Sequence, residues 1–116
     1  MEQHPQVEKM NFPFSKSFPQ YELAKKQMLW CGGLFSAQIK AKDIDEMETF
    51  CNSLQRFLMA VSWGGHESLI MPSCSFYPKE SYDASVFPFN LVRFYIGLED
   101  AEVLIDDIQR ALDKIK

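Results

Sequence analysis

Arg93 is the side chain whose type and setting best suit ligand binding, and it lies in the strand-like stretch LVRFYIG. Alternation along a strand puts Arg93 on the face opposite Val92 and Phe94. A guanidinium held on a rigid strand can bind a carboxylate through two parallel hydrogen bonds. The alternative is that Arg93 forms a surface ion pair with Glu67 or Glu99, and such an exposed pair would contribute little to the stability of the fold. The residues alone therefore indicate a candidate anion site and leave both interpretations open.

The stretch SWGGHESLI, which starts at Ser62, is the second segment that stands out. Its glycine pair, Gly64 and Gly65, follows an apolar run, and such a pair usually forms a turn. Trp63 beside the pair is most simply an aromatic side chain at the rim of the domain. Spacing alone therefore assigns no chemical role to Ser62 or Trp63.

Nucleophilic and metal-binding chemistry find little support in the sequence. Cys31, Cys51 and Cys74 are widely spaced and include no CxxC pair, and His4 and His66 are far apart. These spacings support neither a nucleophile–base pair nor a metal-ligand pattern. We predict free thiols in a reducing compartment and no metal site.

The bulk properties are typical of one globular domain. Over 116 residues the net charge is -4, and the charges are interspersed, which argues against a nucleic-acid surface. No apolar run approaches the roughly 20 residues that span a bilayer. The start MEQHPQVEK lacks the apolar region of a secretory signal. We expect a single cytoplasmic domain over residues 1–116 that binds neither nucleic acid nor membrane.

Hydrophobic periodicity and helix-start signals predict helices and strands in mixed order. Three helices and about four strands predict an α+β domain, with a mainly antiparallel sheet and helices packed on one face. The predicted helices cover about 17–29, 43–54 and 100–115; the strands cover about 34–40, 57–61, 68–71 and 91–97, with a short extended piece at 7–11.

Two apolar patterns predict what these elements pack against. The run FLMAV, from Phe57 to Val61, is apolar at every position, so a strand here must be covered on both faces. Helices can cover one face and something else must cover the other, so the domain alone is expected to expose an apolar patch and to self-associate. The third helix carries an apolar stripe that is predicted to face the core and consists of Ala101, Leu104, Ile105, Ile108, Leu112 and Ile115.

The two segments together resemble a known family. The motifs S-x-G-G-x-E-S-L and L-V-R-x-x-I-G-L-E-D start about 30 residues apart, and the chain also contains YELAKKQM and GGLFSAQIK. Over nearly its whole length the chain is similar to the C-terminal domain of the Cys/Met metabolism family of pyridoxal-phosphate (PLP) enzymes, which includes cystathionine β-lyase, cystathionine γ-synthase and the γ-lyases. Trp63 directly after Ser62 is more similar to the bacterial β-lyase form.

The resemblance implies a fold, a site and a cofactor. The fold would be the small C-terminal domain of fold-type I PLP enzymes. Arg93 would hold the α-carboxylate of a sulfur amino-acid substrate, and Ser62 and Trp63 would line the same pocket. Pyridoxal 5′-phosphate would be bound by a large N-terminal domain that this chain lacks. No cofactor and no catalytic residue are therefore expected on the chain alone.

The resemblance also implies partners and an activity. The missing PLP-binding domain would be one partner, and the enzyme would be a homo-oligomer. We expect a domain of a cystathionine β-lyase-like carbon–sulfur lyase of transsulfuration, inactive by itself. The alternatives are the γ-lyase or γ-synthase branch, and a free-standing binding module that kept the fold without the chemistry.

Overall fold

The fold is built on a five-stranded sheet, seen in a computed structural model that describes residues 1–76, 78–83 and 86–115. None of the helices in these ranges is long and apolar enough to cross a membrane. The strands are β1 (Val7–Asn11), β2 (Leu34–Ile39), β3 (Leu58–Met59), β4 (Leu69–Pro72) and β5 (Leu91–Tyr95); the helices are α1 (Tyr21–Gln27), α2 (Ile44–Ser53) and α3 (Ala101–Leu112); short 3₁₀ turns cover Ser73–Phe76 and Lys79–Ser81.

The strands lie in the order β1-β2-β5-β4-β3, which puts β5 at the centre of the sheet. Three neighbouring pairs are antiparallel, and β3 runs parallel to β4. The predicted α+β class is confirmed, with a mixed sheet of five strands instead of about four. The extended piece at the N-terminus joins the sheet as β1, because Val7 pairs with Ile39 and Met10 pairs with Ala37.

One face of the sheet forms the hydrophobic core together with α2 and α3. Val92 and Phe94 of β5 are fully buried, and so are Met47 and Phe50 of α2. The Phe94 ring stacks on Phe35, with centroids 5.2 Å apart. Burying each large apolar side chain stabilises the fold by about 1.5–3 kcal/mol. Since Val92 and Phe94 are held inward, alternation along β5 turns the side chain between them to the other face.

The start of α2 is predicted correctly, whereas that of α1 is not. Asp43 caps α2 by accepting a hydrogen bond from the Glu46 amide at 2.9 Å. The Ser17 hydroxyl donates to the Glu2 carboxylate instead of capping a helix. As a result α1 begins at Tyr21 and ends at Gln27, so the predicted limits of about 17–29 are wrong.

The inward face of α3 differs from its predicted apolar stripe. Ile105 is 64% exposed, whereas Asp107 is only 1% exposed. The Asp107 carboxylate accepts hydrogen bonds from the backbone amides of Gln55 at 2.9 Å and Arg56 at 2.8 Å. Arg110 pairs with the same carboxylate. Asp107 therefore faces inward although it is not part of the predicted apolar stripe, and it links α3 to the chain just after α2.

The FLMAV run forms only the two-residue edge strand β3. Phe57 is buried, but Leu58 is 58% exposed and Val61 is 66% exposed. β3 pairs with β4 alone, over Leu58 and Met59, and the chain then leaves the sheet. The predicted strand over 57–61 is thus shortened to two residues, and its exposed apolar side chains form the patch that is expected where something outside the domain covers the second face.

Ser68 and Glu99 connect the two segments singled out from the sequence. The Ser68 amide and hydroxyl donate to the Glu99 carboxylate at 2.8 and 2.6 Å, and the Gly97 amide donates to the Ser68 hydroxyl oxygen at 2.9 Å. A Cβ at Gly97 would lie 2.2 Å from the carbonyl oxygen of His66, so the approach requires glycine. These contacts fix the turn after β5 against the start of β4.

We predict that Asp107→Ala destabilises the domain by about 1–3 kcal/mol, because two backbone amides lose their acceptor. Urea denaturation would measure the change in the free energy of unfolding. The matched control is Asp106→Ala, which removes an exposed carboxylate from the same helix and should change stability by less than about 0.5 kcal/mol. Equal effects of the two substitutions would contradict the assigned role.

We also predict that Glu99 makes stability depend on pH on the acid side. Desolvation raises the pKa of Glu99, but the hydrogen bonds from Ser68 outweigh it and hold the pKa below its ordinary value of 4.5. A lowered folded-state pKa stabilises the fold above the ordinary value, and this contribution is lost as the pH falls through the folded-state value. The melting temperature of Glu99→Gln should thus lie below that of the unsubstituted protein at pH 7, and the gap should narrow as the pH falls below 4.5.

The control for this experiment is Glu102→Gln, at an exposed position near the start of α3. Its melting temperature should follow that of the unsubstituted protein across the same range. A gap for Glu99→Gln that stays constant from pH 7 to pH 3 would refute the linkage.

Candidate functional site

Arg93 lies on the face of the sheet opposite α2 and α3. In the register of the sheet it pairs with Ser36 of β2 on one side and with Met71 of β4 on the other. Its neighbours Val92 and Phe94 are buried in the core, while Arg93 is half-buried. The central strand therefore holds the base of this side chain rigidly, as alternation predicts.

The guanidinium of Arg93 is held in place by backbone carbonyls. Its Nη2 donates to the carbonyl oxygens of Val61 at 2.5 Å and Ser62 at 3.2 Å. In the ranges that the structure describes, Arg93 forms no ion pair with a carboxylate. Two neutral carbonyls orient the group without neutralising its charge, so the cation remains available to an anionic ligand.

The alternative pairing of Arg93 with Glu67 or Glu99 is not what the structure shows. Glu99 accepts hydrogen bonds from Ser68, and Glu67 lies 3.2 Å from Nδ1 of His66. Both acidic side chains therefore serve the turns around β4 and β5. The interpretation of Arg93 as an ordinary surface ion pair loses both of its candidate partners.

A depression of about 120 Å³ opens beside Arg93 on this face. Arg93 is the one charged residue among its described lining residues. The rest are apolar side chains and two serines, so the guanidinium meets a ligand in surroundings of low polarity. The lining consists of Ser36, Met71, Ser73, Phe76, Phe87, Leu91 and Arg93.

Ser62 and Trp63 follow β3 in the chain, about 30 positions before Arg93, and they contribute differently from each other. The Ser62 backbone carbonyl contacts the guanidinium, and its side chain is exposed. Trp63 is 62% exposed and does not line the depression. The structure therefore brings Ser62 to Arg93 through the backbone and leaves the Trp63 ring exposed.

Tyr95 is a contributor to the site that the sequence reasoning missed. Its hydroxyl donates to the carbonyl oxygen of Gly65 at 3.0 Å. Gly64 takes a φ of +88°, which favours glycine, and so lets the chain turn here. Arg93 and Tyr95 are two residues apart on one strand face and hold the same loop, and this i, i+2 spacing is the signal that could have identified the pair.

The other candidate reactive groups are separate from this face. Burial raises the pKa of the Cys51 thiol to about 12, so the thiol stays protonated at neutral pH. Cys31 and Cys74 are also free thiols. The described part of the chain contains no group of three His, Cys, Asp or Glu side chains that could hold a metal ion. Of these groups, only the guanidinium of Arg93 lies at the depression, and its chemistry suits the binding of an anion.

The residues around Arg93 can be tested for their fit to PLP, the cofactor that the resemblance implies. PLP is held by a lysine amine, a partner for its ring nitrogen and groups that bind its phosphate. None of the described residues lining the depression is a lysine or an acidic residue. The depression therefore fits a ligand carboxylate and does not, by itself, fit the cofactor.

Comparisons with known proteins agree with the family suggested by the two motifs. The family model described as Cys/Met metabolism PLP-dependent enzyme matches residues 1–113. The chain is 44% identical over 119 residues to an L-methionine gamma-lyase of Treponema denticola, with 99% of the chain and 29% of that relative covered. It is 41% identical over 116 residues to a cystathionine gamma-lyase of Sus scrofa, with 97% of the chain and 28% of the relative covered.

A third relative, an L-methionine gamma-lyase of Porphyromonas gingivalis, is 39% identical over 119 residues and is matched over 30% of its length. The chain thus spans less than a third of the curated relatives that it matches. The family match covers almost the whole chain, including both segments that meet at Arg93. The chain belongs to the Cys/Met metabolism family of PLP-dependent enzymes.

Proposed function

We propose that this chain is the substrate-side domain of a PLP-dependent γ-lyase that acts on a sulfur amino acid. The relatives reported above are named as methionine or cystathionine gamma-lyases, which favours the γ-lyase alternative over the β-lyase expected from Trp63. A single aromatic residue after Ser62 carries less weight than identity of about 40% along the whole chain. The family supports the substrate class, and these relatives support the branch.

The setting of Arg93 is the observation that carries this proposal. The guanidinium is oriented by the carbonyls of Val61 and Ser62, has no acidic partner in the described residues and opens on a depression. An arginine in such surroundings can bind a carboxylate more strongly than one in bulk water, since the local dielectric is lower. We assign Arg93 to the α-carboxylate of the substrate.

Ser62 and Trp63 would help to orient the substrate. Ser62 lies beside the guanidinium and its exposed hydroxyl could donate to a bound carboxylate, while the exposed Trp63 ring would cover the amino-acid stem. Holding the carboxylate fixes how the bond at Cα is presented to the reacting centre, which is an orientation effect. PLP, when bound, supplies the electron sink of the reaction.

The rest of the enzyme belongs to the proposal as well. Because the chain spans about 29% of its relative and none of the described residues lining its depression is a lysine, we assign cofactor binding to a large domain outside this chain. The exposed apolar residues around the Arg93 face, which include Trp63 and Phe76, would then meet that domain. We expect the assembled enzyme to be a homo-oligomer in the cytoplasm.

The proposal predicts that Arg93→Lys lowers kcat/KM about 100-fold in an enzyme in which this chain replaces the matching segment of the Treponema denticola relative. Lysine keeps the charge but loses the paired geometry, a loss of about 2–3 kcal/mol. The measurement is 2-oxobutanoate release from L-methionine. Arg56→Lys, an exposed arginine elsewhere, is the matched control and should leave kcat/KM unchanged.

A value for Arg93→Lys within about threefold of the parent would be incompatible with the assignment of Arg93 to the substrate. The same enzyme tests the branch. With cystathionine as substrate, 2-oxobutanoate as the main product supports the γ-lyase, and pyruvate as the main product would restore the β-lyase.

We further predict that the isolated chain has no lyase activity. Mixed with PLP and cystathionine, it should release no 2-oxo acid above a blank without protein, because no lysine is among the described residues that line its depression. Release of pyruvate or 2-oxobutanoate above that blank would show that the chain binds and uses PLP unaided.

A further inference from the structure

We propose that Tyr95 is a positioning residue, which raises the affinity of Arg93 for a carboxylate by holding the loop that orients the guanidinium. We call residues 61–65 the carbonyl loop, because their backbone carbonyls accept hydrogen bonds from side chains of β5. This inference rests on the proposed function, since it takes Arg93 as the group that binds the α-carboxylate. It goes further by assigning part of that affinity to a hydroxyl that does not line the depression.

Two side chains from one face of β5 hold the carbonyl loop at its two ends. At the start of the loop, Nη2 of Arg93 donates to the carbonyl oxygens of Val61 at 2.5 Å and Ser62 at 3.2 Å. At its end, the Tyr95 hydroxyl donates to the carbonyl oxygen of Gly65 at 3.0 Å. Because Arg93 and Tyr95 are two positions apart on a strand of the sheet, both side chains leave the same face.

Few other contacts hold the carbonyl loop. Each residue from 61 to 66 is exposed, and Gly64 has a φ of +88°. Between described residues, the hydrogen bonds from Arg93 and Tyr95 are the only ones that reach residues 61–65. An exposed backbone without further contacts gains conformational entropy when it is released. The position of the loop therefore depends on these two side chains.

Release of the Gly65 end would also disturb Arg93. Only two residues separate Ser62 from Gly65, so the carbonyls that orient the guanidinium move when the end of the loop moves. Without these acceptors, the long arginine side chain regains its rotamer freedom, and a smaller fraction of molecules presents the guanidinium in the orientation that binds. The apparent dissociation constant of a ligand rises as that fraction falls. Tyr95 is therefore expected to act on affinity.

A purely structural role of Tyr95 makes a different prediction. Tyr95 is half-buried and pairs in the sheet with Leu34 and Leu69, so a drastic substitution would disturb the fold. Tyr95→Phe keeps the ring and removes only the hydroxyl. Loss of folded enzyme lowers kcat and leaves KM unchanged, whereas a smaller binding-competent fraction raises KM and leaves kcat unchanged.

The first measurement uses the isotopically labelled chain and 4-(methylthio)butanoate, which is methionine without its amino group. NMR follows the Nε–H signal of Arg93 and the backbone amide signals of the carbonyl loop during the titration. In Tyr95→Phe we expect these signals to be broader before any ligand is added. We expect the dissociation constant to rise about threefold to tenfold, the range that corresponds to one neutral hydrogen bond.

The second measurement uses the enzyme in which this chain replaces the matching segment of the Treponema denticola relative. For Tyr95→Phe we expect KM for L-methionine to rise about threefold to tenfold and kcat to stay within about twofold of the parent. The matched control in both measurements is Tyr21→Phe, which removes a hydroxyl at the start of α1, and it should change neither the dissociation constant nor KM.

The outcomes separate this inference from the proposed function. If the probe shifts the Arg93 signal with equal affinity in the parent and in Tyr95→Phe, the positioning role is refuted while carboxylate binding by Arg93 stands. A fall in kcat with unchanged KM also refutes it, since Tyr95 then serves the fold alone. If the probe shifts the Arg93 signal in neither protein, the role of Arg93 fails and this inference fails with it.

Discussion

The alternation of β5 is the constraint on which the site depends. Val92 and Phe94 are fully buried under α2 and α3, and β5 is the central strand of the sheet. Because neighbouring strands pair with β5 on both sides, a shift of register by one residue would expose both core side chains and bury a guanidinium. The core therefore fixes the direction of Arg93 more firmly than any contact that Arg93 itself makes.

Several smaller contacts convert that direction into a defined position. Arg93 and Tyr95 hold the loop after β3 through its backbone carbonyls, at Val61 and Gly65 among others. The Ser68–Glu99 hydrogen bonds hold the far end of the same loop at the start of β4. Together they build a rigid edge around one cation with no acidic partner in the described residues, and this is a suitable base for binding the carboxylate of an amino acid.

The sequence predicted the features that are determined by residues close together in the chain. The fold class, the direction of Arg93 and the Asp43 cap of α2 could all be predicted, since each follows from side-chain periodicity or from a residue within one turn. Other features depend on residues far apart in the chain. The exposed edge strand at Leu58 depends on which strands pair, and the burial of Asp107 depends on amides about 50 positions away.

In the site, too, some features follow from nearby residues and others depend on contacts between distant parts of the chain. Arg93 could be selected from its strand, but the loss of its candidate partners Glu67 and Glu99 to other contacts is visible only in three dimensions. The contact through the Ser62 carbonyl, instead of its hydroxyl, could not be inferred from residue type. The proposal of the γ-lyase branch likewise depends on relatives compared over the whole chain, because Trp63 alone pointed to the other branch.

A crystal structure of the chain soaked with 4-(methylthio)butanoate would test the central claim most directly. The account predicts both carboxylate oxygens within about 2.7–3.2 Å of the Arg93 guanidinium, with the carbonyls of Val61 and Ser62 still in contact with Nη2. A carboxylate bound elsewhere, while Arg93 pairs with an acidic side chain of its own chain, would contradict it.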